Sequence, residues 1–258
     1  MAIAVGVFGA SGRMGRTVCA AVASDPETEL VAAVDPNGAG EFVEGIAVAA
    51  EPKAIVDAGA QVVVDFTVAS AARTNIEWAA LHALHAVVGT TGLAADDLER
   101  FRSEFEGAGK ACVLAPNFAI GAVLAIRLAE LAAPYFETAE VIELHHDAKR
   151  DAPSGTAMHT VERLAKASSD WAPDPTELEV LPGARGAPGA AGIRVHSVRM
   201  RGMVAHEEIM LGTTGQTLSI RHDSYDRTSF MPGVLLAVKK VGALPPGLTV
   251  GLDSLLDL

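Results

Sequence analysis

Residues 3–15 read Ile3-Ala-Val-Gly-Val-Phe-Gly9-Ala-Ser-Gly12-Arg-Met-Gly15, and this stretch decides the fold of the first half of the chain. A short apolar run suited to a buried strand passes into three evenly spaced glycines, and a helical pattern follows to about Ser24. This order is typical of a dinucleotide-binding βαβ unit. Gly9 permits the tight turn, Gly12 lets a pyrophosphate approach the backbone, and Gly15 lets the helix pack closely on the sheet.

Asp35 stands where a second predicted strand, Leu30–Val34, ends. An acidic residue at this point of a dinucleotide-binding unit can accept hydrogen bonds from both ribose hydroxyls, and its charge repels a 2′-phosphate. Arg13 in the glycine turn could offset that repulsion, but Pro36 rather than a basic residue follows Asp35. Binding of NADH is therefore favoured over a purely structural glycine turn, with NADPH tolerated.

Three further predicted strands also end in polar or glycine-containing motifs. Strands that alternate with helices predict a parallel sheet, and ligands of such sheets bind where the strands end. We therefore expect the three motifs to line the cofactor crevice. They are Phe66-Thr67 after the strand at 61–66, Gly89-Thr90-Thr91 after the strand at 86–88, and Ala115-Pro116-Asn117-Phe118 after the strand at 111–114.

The pattern of the chain changes near residue 118, which we take as a domain boundary. A long amphipathic helix is predicted over 120–133, a strand over 139–144 and a helix over 156–168. A loop rich in Pro and Gly at 173–192 precedes three predicted strands separated by turns, and a helix over 231–241 follows. The fold class is therefore α/β. We expect a Rossmann-type parallel-sheet domain over 1–118 and a second α+β domain over 119–230 with an open mixed sheet.

Residues 143–157 read Glu-Leu-His-His-Asp-Ala-Lys-Arg-Asp-Ala-Pro-Ser-Gly-Thr-Ala and are the most informative stretch for function. Two adjacent imidazoles, His145 and His146, precede the ammonium of Lys149 and a turn at the predicted start of a helix. Proton-transferring groups thus stand beside a cation, a hydroxyl and free backbone N–H groups, which together suit a small, multiply charged anion. Neighbouring residues of a strand point to opposite faces, so either the strand ends here or one imidazole lies outside the pocket.

The bulk composition limits the possible partners. The net charge is −12, which argues against nucleic acid or an anionic membrane, and an anionic substrate needs its own local positive charge. Hydrophobic residues make up 50% of the chain and aromatic residues only 5%, so the core is aliphatic. Cys19 and Cys112 are too few for a disulfide framework, and we find no metal-ligand spacing, signal peptide or membrane span. A cytoplasmic protein is expected.

The chain resembles the 4-hydroxy-tetrahydrodipicolinate reductase (dihydrodipicolinate reductase) family of lysine and diaminopimelate biosynthesis essentially from end to end. The residues that carry the resemblance are the glycine turn, the strand-end motifs and, most specifically, residues 143–157. Further support comes from Ser197–Gly202, from His206-Glu207 and from Arg227–Gly233.

The resemblance implies a homotetramer assembled through the second domain's sheet, with the segment 231–258 packed back on the first domain. It implies reduction of a cyclic imine dianion by NADH or NADPH, with loss of water. His145 would be the proton donor and acceptor and Lys149 the proton donor, and His146, Gly155 and Thr156 would bind the substrate carboxylates. The implied cofactor-binding residues are Gly9, Ala10, Ser11, Gly12, Arg13, Met14, Asp35, Phe66, Thr67, Gly89, Thr90, Thr91, Ala115, Pro116, Asn117 and Phe118, with no metal.

Lys149 is expected to lower the pKa of His145, which would stay largely neutral until the dianion arrives. Arg150 and Asp151 are interpreted as a solvated or domain-linking pair. Arg199 could shape the tetramer sheet or lie near the site, and the structural role is favoured. Two other functions stay open: a different NAD(P)-dependent dehydrogenase of similar architecture, and a nucleotide-binding regulator or scaffold without catalysis. Neither would be expected to combine His145 and Lys149 ahead of a Pro-Ser-Gly-Thr turn.

Overall fold

The computed structural model describes residues 1–256, which fall into two compact units. The first contains residues 1–118 and the segment from Phe230 onward, and the second contains Ala119–Ser229. The helices are α1 (Arg13–Ser24), α2 (Lys53–Asp57), α3 (Ala69–Leu81), α4 (Ala95–Ala108), α5 (Ile120–Ala132), α6 (Gly155–Ala167) and α7 (Met231–Val241). The strands are β1 (Ile3–Phe8), β2 (Thr28–Val34), β3 (Phe42–Val43), β4 (Ile46–Ala49), β5 (Val62–Asp65), β6 (His85–Val88), β7 (Ala111–Leu114), β8 (Thr138–His145), β9 (Ala187–Pro188), β10 (Arg194–Arg199), β11 (Ala205–Thr213), β12 (Gln216–Ser224) and β13 (Gly247–Val250).

An eight-stranded sheet forms the centre of the first unit, in the order β13-β7-β6-β5-β1-β2-β4-β3. Neighbouring strands are parallel except β3, which pairs antiparallel with β4. Because β1 lies between β2 and β5, the sheet first grows from β1 through β2 on one side and later continues from β5 on the other side of β1. Sheets of this kind bind ligands beside the carboxyl ends of the strands at this reversal. The turns after β1 and β5 therefore lie where a cofactor is expected.

Aliphatic side chains build the core of the first unit, as the composition predicts. Every residue of β5 and of β7 is buried, which explains their unbroken apolar runs. Helix α1 places Gly15, Val18, Cys19 and Val22 on its buried side at helical spacing. Burial raises the pKa of the Cys19 thiol to about 12, so this thiol is unreactive at neutral pH.

A five-stranded mixed sheet forms the second unit, in the order β12-β11-β8-β10-β9. Strand β8 runs parallel to β10 and antiparallel to β11. Val141, Ile209 and Leu211 of the sheet pack with Val161 and Leu164 of α6 in one apolar core. Because side chains alternate along a strand, every second residue of β8 and β11 faces this core and the others face away from it.

The structure confirms the predicted fold class and departs from the sequence prediction in detail. Strands β3, β4, β9 and β13 were not predicted, and each has at most four residues. Strands β11 and β12 are longer than predicted, because their ladder runs unbroken from the Ala205–Ser224 pair to the Thr213–Gln216 pair. Within residues 1–256, no helix combines the length and apolar character needed to cross a membrane.

Candidate active site

The glycine turn of the first unit has the geometry that its sequence predicts. Gly9 has a φ of +67°, a conformation that favours glycine. A Cβ on Gly15 would lie 2.0 Å from the carbonyl oxygen of Gly9, so no other residue fits there without a shift of the backbone. Gly12 caps α1 without a side-chain hydrogen bond, and the first turn holds no acidic residue. The backbone N–H groups at the start of α1 are thus suited to a phosphate anion.

Asp35 joins this turn to the segment after β2. One carboxylate oxygen accepts a hydrogen bond from the backbone N–H of Ser11 at 3.2 Å, and the other accepts from that of Asn37 at 3.0 Å. A carboxylate has about four acceptor positions, so hydroxyl groups of a ribose can still bind. The Ser11 hydroxyl is buried without a hydrogen-bond partner and lies against Gly38. A Cβ on Gly38 would lie 1.7 Å from the oxygen of this hydroxyl. Gly38 therefore makes room for the serine that replaces the usual middle glycine.

A buried carboxylate that the sequence prediction missed, Asp65, organises the ends of β5 and β6. One of its oxygens accepts hydrogen bonds from the Thr67 amide at 2.9 Å, the Thr67 hydroxyl at 2.7 Å and the Thr90 hydroxyl at 2.9 Å. The other accepts from Nδ2 of Asn75 at 2.8 Å. Thr67 and Thr90 are thus brought together as predicted, and both serve to hold the strand ends. The sequence signal that could have identified Asp65 is its position as the last residue of a buried strand, at the edge of the sheet where ligands bind.

The remaining predicted cofactor residues lie at the same carboxyl edge of the sheet. The rings of Phe66 and Phe118 lie 5.4 Å apart, and a Cβ on Gly89 would come within 2.0 Å of the Phe66 ring. Gly89 is therefore required by the aromatic packing. The backbone of Ala115 donates to Val88. The other members differ in exposure: Ala10 is buried, Met14 and Asn117 are half-buried, and Arg13, Thr91 and Pro116 are exposed.

The second unit holds His145 through a buried ion pair. Glu143 is fully buried, and its carboxylate accepts hydrogen bonds at 2.8 and 2.9 Å from the Arg199 guanidinium. Nδ1 of His145 lies 2.5 Å from the same carboxylate. Glu143 and His145 are two residues apart on β8 and so share a face, and Arg199 lies beside His145 in the register of β10. The structural role favoured for Arg199 is therefore incomplete, and the alternative of a place near the site fits better, because this side chain fixes the glutamate that orients His145.

Several causes set the charge of His145. Burial lowers its pKa, the hydrogen bond to Glu143 opposes this, and the charges of Lys149 and Arg199 lower the pKa further. The net direction is downward, as we expected, although burial rather than Lys149 is the largest cause. A neutral imidazole that donates Nδ1–H to Glu143 leaves Nε2 as an acceptor that can later be protonated.

Lys149 and the start of α6 supply the positive side of this unit. Nζ of Lys149 lies 2.9 and 2.8 Å from the two carboxylate oxygens of Asp151. The predicted pair of Arg150 with Asp151 is therefore wrong, because Asp151 pairs with Lys149. The backbone carbonyl of Asp151 accepts a hydrogen bond from the Arg199 guanidinium. Ser154 caps α6 by accepting from the backbone of Ala157, and its own N–H donates to Glu143 at 3.3 Å.

The three predicted substrate residues stand around this helix start. Strand β8 ends at His145, so His146 lies beyond the strand and is exposed, which removes the constraint of opposite faces. Gly155 is exposed, and a Cβ there would meet nothing within 4 Å. Thr156 is half-buried in the first turn, which contains no acidic residue. The sequence did not reveal the roles of Glu143 and Ser154, although the Glu-x-His spacing was a usable signal.

A separate cavity lies at the other end of the second unit's sheet. It has a volume of about 340 Å³ and is lined by residues that include Thr138, Trp171, Asp174 and Arg194. Thr138, which lines the cavity, begins β8, whereas His145 ends it, so the two lie at opposite ends of the strand. None of the predicted site residues lines this cavity. Among residues 1–256, no group of three or more His, Cys, Asp and Glu side chains is arranged to hold a metal ion.

Family models match the chain in two consecutive parts. The model described as the N-terminus of dihydrodipicolinate reductase matches residues 3–118, and the model of its C-terminus matches residues 121–256. The 4-hydroxy-tetrahydrodipicolinate reductase of Nocardia farcinica is 50% identical over 263 residues, which cover 100% of both chains. That of Mycobacterium ulcerans is 47% identical and covers 98% of this chain and 99% of the relative.

One solved structure gives the same assignment. The chain is 37% identical to dipicolinate-bound dihydrodipicolinate reductase from Paenisporosarcina sp. TG-14, with a TM-score of 0.88 and coverage of 98% of this chain and 99% of that one. An amine dehydrogenase from Mycobacterium smegmatis has a TM-score of 0.65 at 13% identity, with coverage of 96% and 94%, and shares the fold alone. The chain therefore belongs to the dihydrodipicolinate reductase family.

Proposed function

We propose that this protein reduces 4-hydroxy-tetrahydrodipicolinate to tetrahydrodipicolinate with NADH or NADPH, as a step of lysine and diaminopimelate biosynthesis in the cytoplasm. The observation that carries the proposal is the second unit's combination of a carboxylate-held imidazole, an ammonium and a helix start at α6 whose first turn holds no acidic residue. Membership of the family, and the activity for which relatives about 50% identical over their whole length are named, support the same reaction. The chain is accordingly an oxidoreductase.

The first unit fits a reduced pyridine dinucleotide. The glycine turn leaves space and free N–H groups for the pyrophosphate, and Asp35 retains acceptor positions for a ribose. When bound, the reduced nicotinamide supplies the hydride from its C4 atom. The carboxylate of Asp35 would repel a 2′-phosphate, and the exposed Arg13 in the turn could offset part of that repulsion, so we propose a preference for NADH with NADPH accepted.

The second unit would hold the substrate dianion. The backbone N–H groups of the first turn of α6 and the hydroxyl of Thr156 would bind one carboxylate, with His146 and Lys149 available to the other. Each charge-assisted hydrogen bond of this kind contributes roughly 1.5–3 kcal/mol. In a protein with a net charge of −12, this local positive potential is what attracts a dianion.

The imidazole of His145 and the ammonium of Lys149 would deliver the protons. His145 is neutral in the free protein because burial lowers its pKa. Binding of a dianion beside it raises that pKa, so the imidazole takes up a proton at Nε2 when the substrate arrives. Loss of the hydroxyl as water places one proton on the leaving oxygen and releases one from the neighbouring ring carbon, so this step uses no net proton. The proton at Nε2 then goes to the ring as hydride is accepted. General acid catalysis of this kind is worth about 10²–10⁴-fold in rate.

We also propose that the protein assembles as a homotetramer through the face of the second unit's sheet that points away from α5 and α6. By strand alternation, this face presents Ile142 and Leu144 of β8, Val198 of β10 and Met210 of β11. The first three are half-buried and Met210 is 37% exposed. Apolar side chains on such a face are suited to packing against a second copy, and Glu140, His196 and Glu208, which share the face, would add polar contacts.

A coupled assay tests the reaction. Aspartate semialdehyde, pyruvate and the upstream synthase generate the substrate, and the loss of NADH is followed by absorbance. Turnover well above a reaction with synthase alone is expected. Activity no greater than that control, with the protein folded and able to bind NADH, would refute the proposed reaction.

A further inference from the structure

A second glutamate, Glu207, is buried beside the Glu143–Arg199 pair and takes no part in the chemistry proposed above. Its exposure is 9%, and it lies directly opposite Glu143 in the pairing of β11 with β8. In the pairing of β11 with β12 it lies opposite His222. The alternation that turns Ile209 and Leu211 toward the apolar core also turns Glu207 to the side of the sheet that faces the helices.

The hydroxyl of Thr160 links Glu207 to the start of α6. Its Oγ1 lies 2.5 Å from a carboxyl oxygen of Glu207 and 3.0 Å from the carbonyl oxygen of Thr156. A hydroxyl has one proton and can donate only one hydrogen bond. Both contacts are satisfied together only when Glu207 carries a proton and donates it to Thr160, which in turn donates to Thr156. An ionised Glu207 would compete with Thr156 for the single hydroxyl proton.

The charges around Glu207 do not favour its ionisation. Arg199 is engaged with both oxygens of Glu143, so the group that faces Glu207 from β8 is a carboxylate. Burial lowers the pKa of His222 on β12, which leaves that imidazole neutral near pH 7. Helix α5 has no ionisable residue before Arg127. Arg127 of α5 and Arg163 of α6 both bind Glu130 of α5.

We propose that Glu207 is a positioning residue that acts in its neutral, protonated form, in which it orders the first turn of α6 through Thr160 and keeps a second negative charge away from the substrate dianion. The inference rests on the proposed function, because that turn is where the substrate carboxylate would bind. It predicts that ionisation of Glu207 weakens binding of a dianion to the second unit.

The sign of the accompanying change in stability follows from proton linkage. Burial and the charge of Glu143 raise the pKa of Glu207 from 4.5 to about 7. The folded protein therefore keeps a proton that the unfolded chain loses between these two values. Its contribution to stability is fully present below about pH 4.5, falls as the pH rises to about 7, and is constant above that.

The test compares the full-length wild type with Glu207→Gln, which is neutral at every pH and retains a donor for Thr160. Thermal unfolding is measured from about pH 5 to about pH 8, where the linkage predicts that the Tm of Glu207→Gln rises relative to wild type. Binding of dipicolinate, a dianionic probe, is measured at both ends of the range. It should weaken with rising pH at least about fivefold more in wild type than in Glu207→Gln. Glu162→Gln changes the charge of an exposed residue of α6 and should follow wild type.

A second measurement needs no variant at residue 207. The infrared C=O band of a protonated carboxylic acid should be present in wild type at about pH 6 and lost by about pH 8, because the pKa lies between them. Equal pH dependence of Tm and of dipicolinate binding in wild type and Glu207→Gln, or the absence of this band, would overturn the role of Glu207. If the pH dependence is as predicted but the coupled assay shows no turnover, the role of Glu207 stands and only the proposed reaction is refuted.

Discussion

Glu143 shows how one residue can serve both stability and chemistry. A fully buried carboxylate is expensive to desolvate, and here the cost is offset by two hydrogen bonds from Arg199, one from the backbone of Ser154 and one from His145. The same bonds fix the imidazole by its Nδ1 atom and leave Nε2 available. The geometry of His145 therefore depends on a neighbour that need not touch the substrate.

Replacement of this carboxylate by an amide tests the dependence. In Glu143→Gln, the loss of the charge leaves Arg199 unpaired, and we expect the free energy of unfolding to fall by about 3 kcal/mol. His145 also loses the partner that raises its pKa, so its pKa falls further and the alkaline limb of the kcat/KM profile moves to lower pH. Denaturant titration and a pH profile measure both effects. Glu140→Gln, three residues away on the opposite face of β8, is the matched control and should leave the profile unchanged.

Lys149 is expected to act differently, because its ion pair is with an exposed partner. Asp151 is 64% exposed, and pairs of this kind contribute less than about 1 kcal/mol to stability. Lys149→Ala should therefore fold normally and lower kcat by about 10²-fold or more through loss of a proton donor. The dissociation constant of NADH, measured by fluorescence titration, should barely change. Loss of NADH binding in this variant, with Lys166→Ala unaffected, would show that the assigned role is wrong.

At the scale of elements, the first unit works because several strands end at one edge and their ends are tied together. Asp65 closes β5 and binds residues that follow β5 and β6, so the two loops behave as one platform. The sequence predicted the strands and their terminal motifs, because apolar runs and the residues that follow them are local signals. It did not predict that Asp65 would turn back to hold those motifs, since hydrogen bonding is decided by the packed sheet.

Asp65→Asn is the test of this platform. In the wild type, the donors around residue 65 share two carboxylate oxygens, whereas the amide of asparagine has only one acceptor oxygen. One or more buried donors therefore lose their partner, at a cost of about 1–3 kcal/mol each. We expect a lower Tm and a raised KM for NADH, with a smaller change in the affinity for dipicolinate. Asp57→Asn, at an exposed position of α2, supplies the control. An unchanged KM for NADH despite a lower Tm would show that Asp65 acts on stability alone.

The second unit shows where prediction from the sequence stops. The motif that includes His145, Lys149 and Thr156 could be found because its members are close together in the chain. Arg199 could not be assigned to it, because its place depends on the parallel pairing of β10 with β8, which joins residues far apart in sequence. The sequence linked Glu207 to function only through the resemblance to the family. Its contact with Thr160 could not be predicted, because that contact depends on the register of β11.

At the scale of the whole molecule, the sheet of the second unit has one face covered by α5 and α6 and another that its own helices leave uncovered. The uncovered face presents apolar side chains from three neighbouring strands, with Met210 the most exposed of them. A net charge of −12 opposes association of identical chains, so an interface must gain enough from apolar burial to overcome that repulsion.

A charge placed on this face should therefore prevent assembly. Met210→Lys would bury a charged side chain in each copy of the interface, and the cost of taking an ammonium out of water is several kcal/mol even with Glu140 opposite it on β8, whereas Met210→Leu keeps the apolar surface. Light scattering coupled to size exclusion is expected to give a tetramer for wild type and Met210→Leu and smaller species for Met210→Lys. Because Met210 points away from the unit's own core, far-ultraviolet circular dichroism of the lysine variant should be close to that of wild type. A tetramer that survives in Met210→Lys would place the interface on another surface.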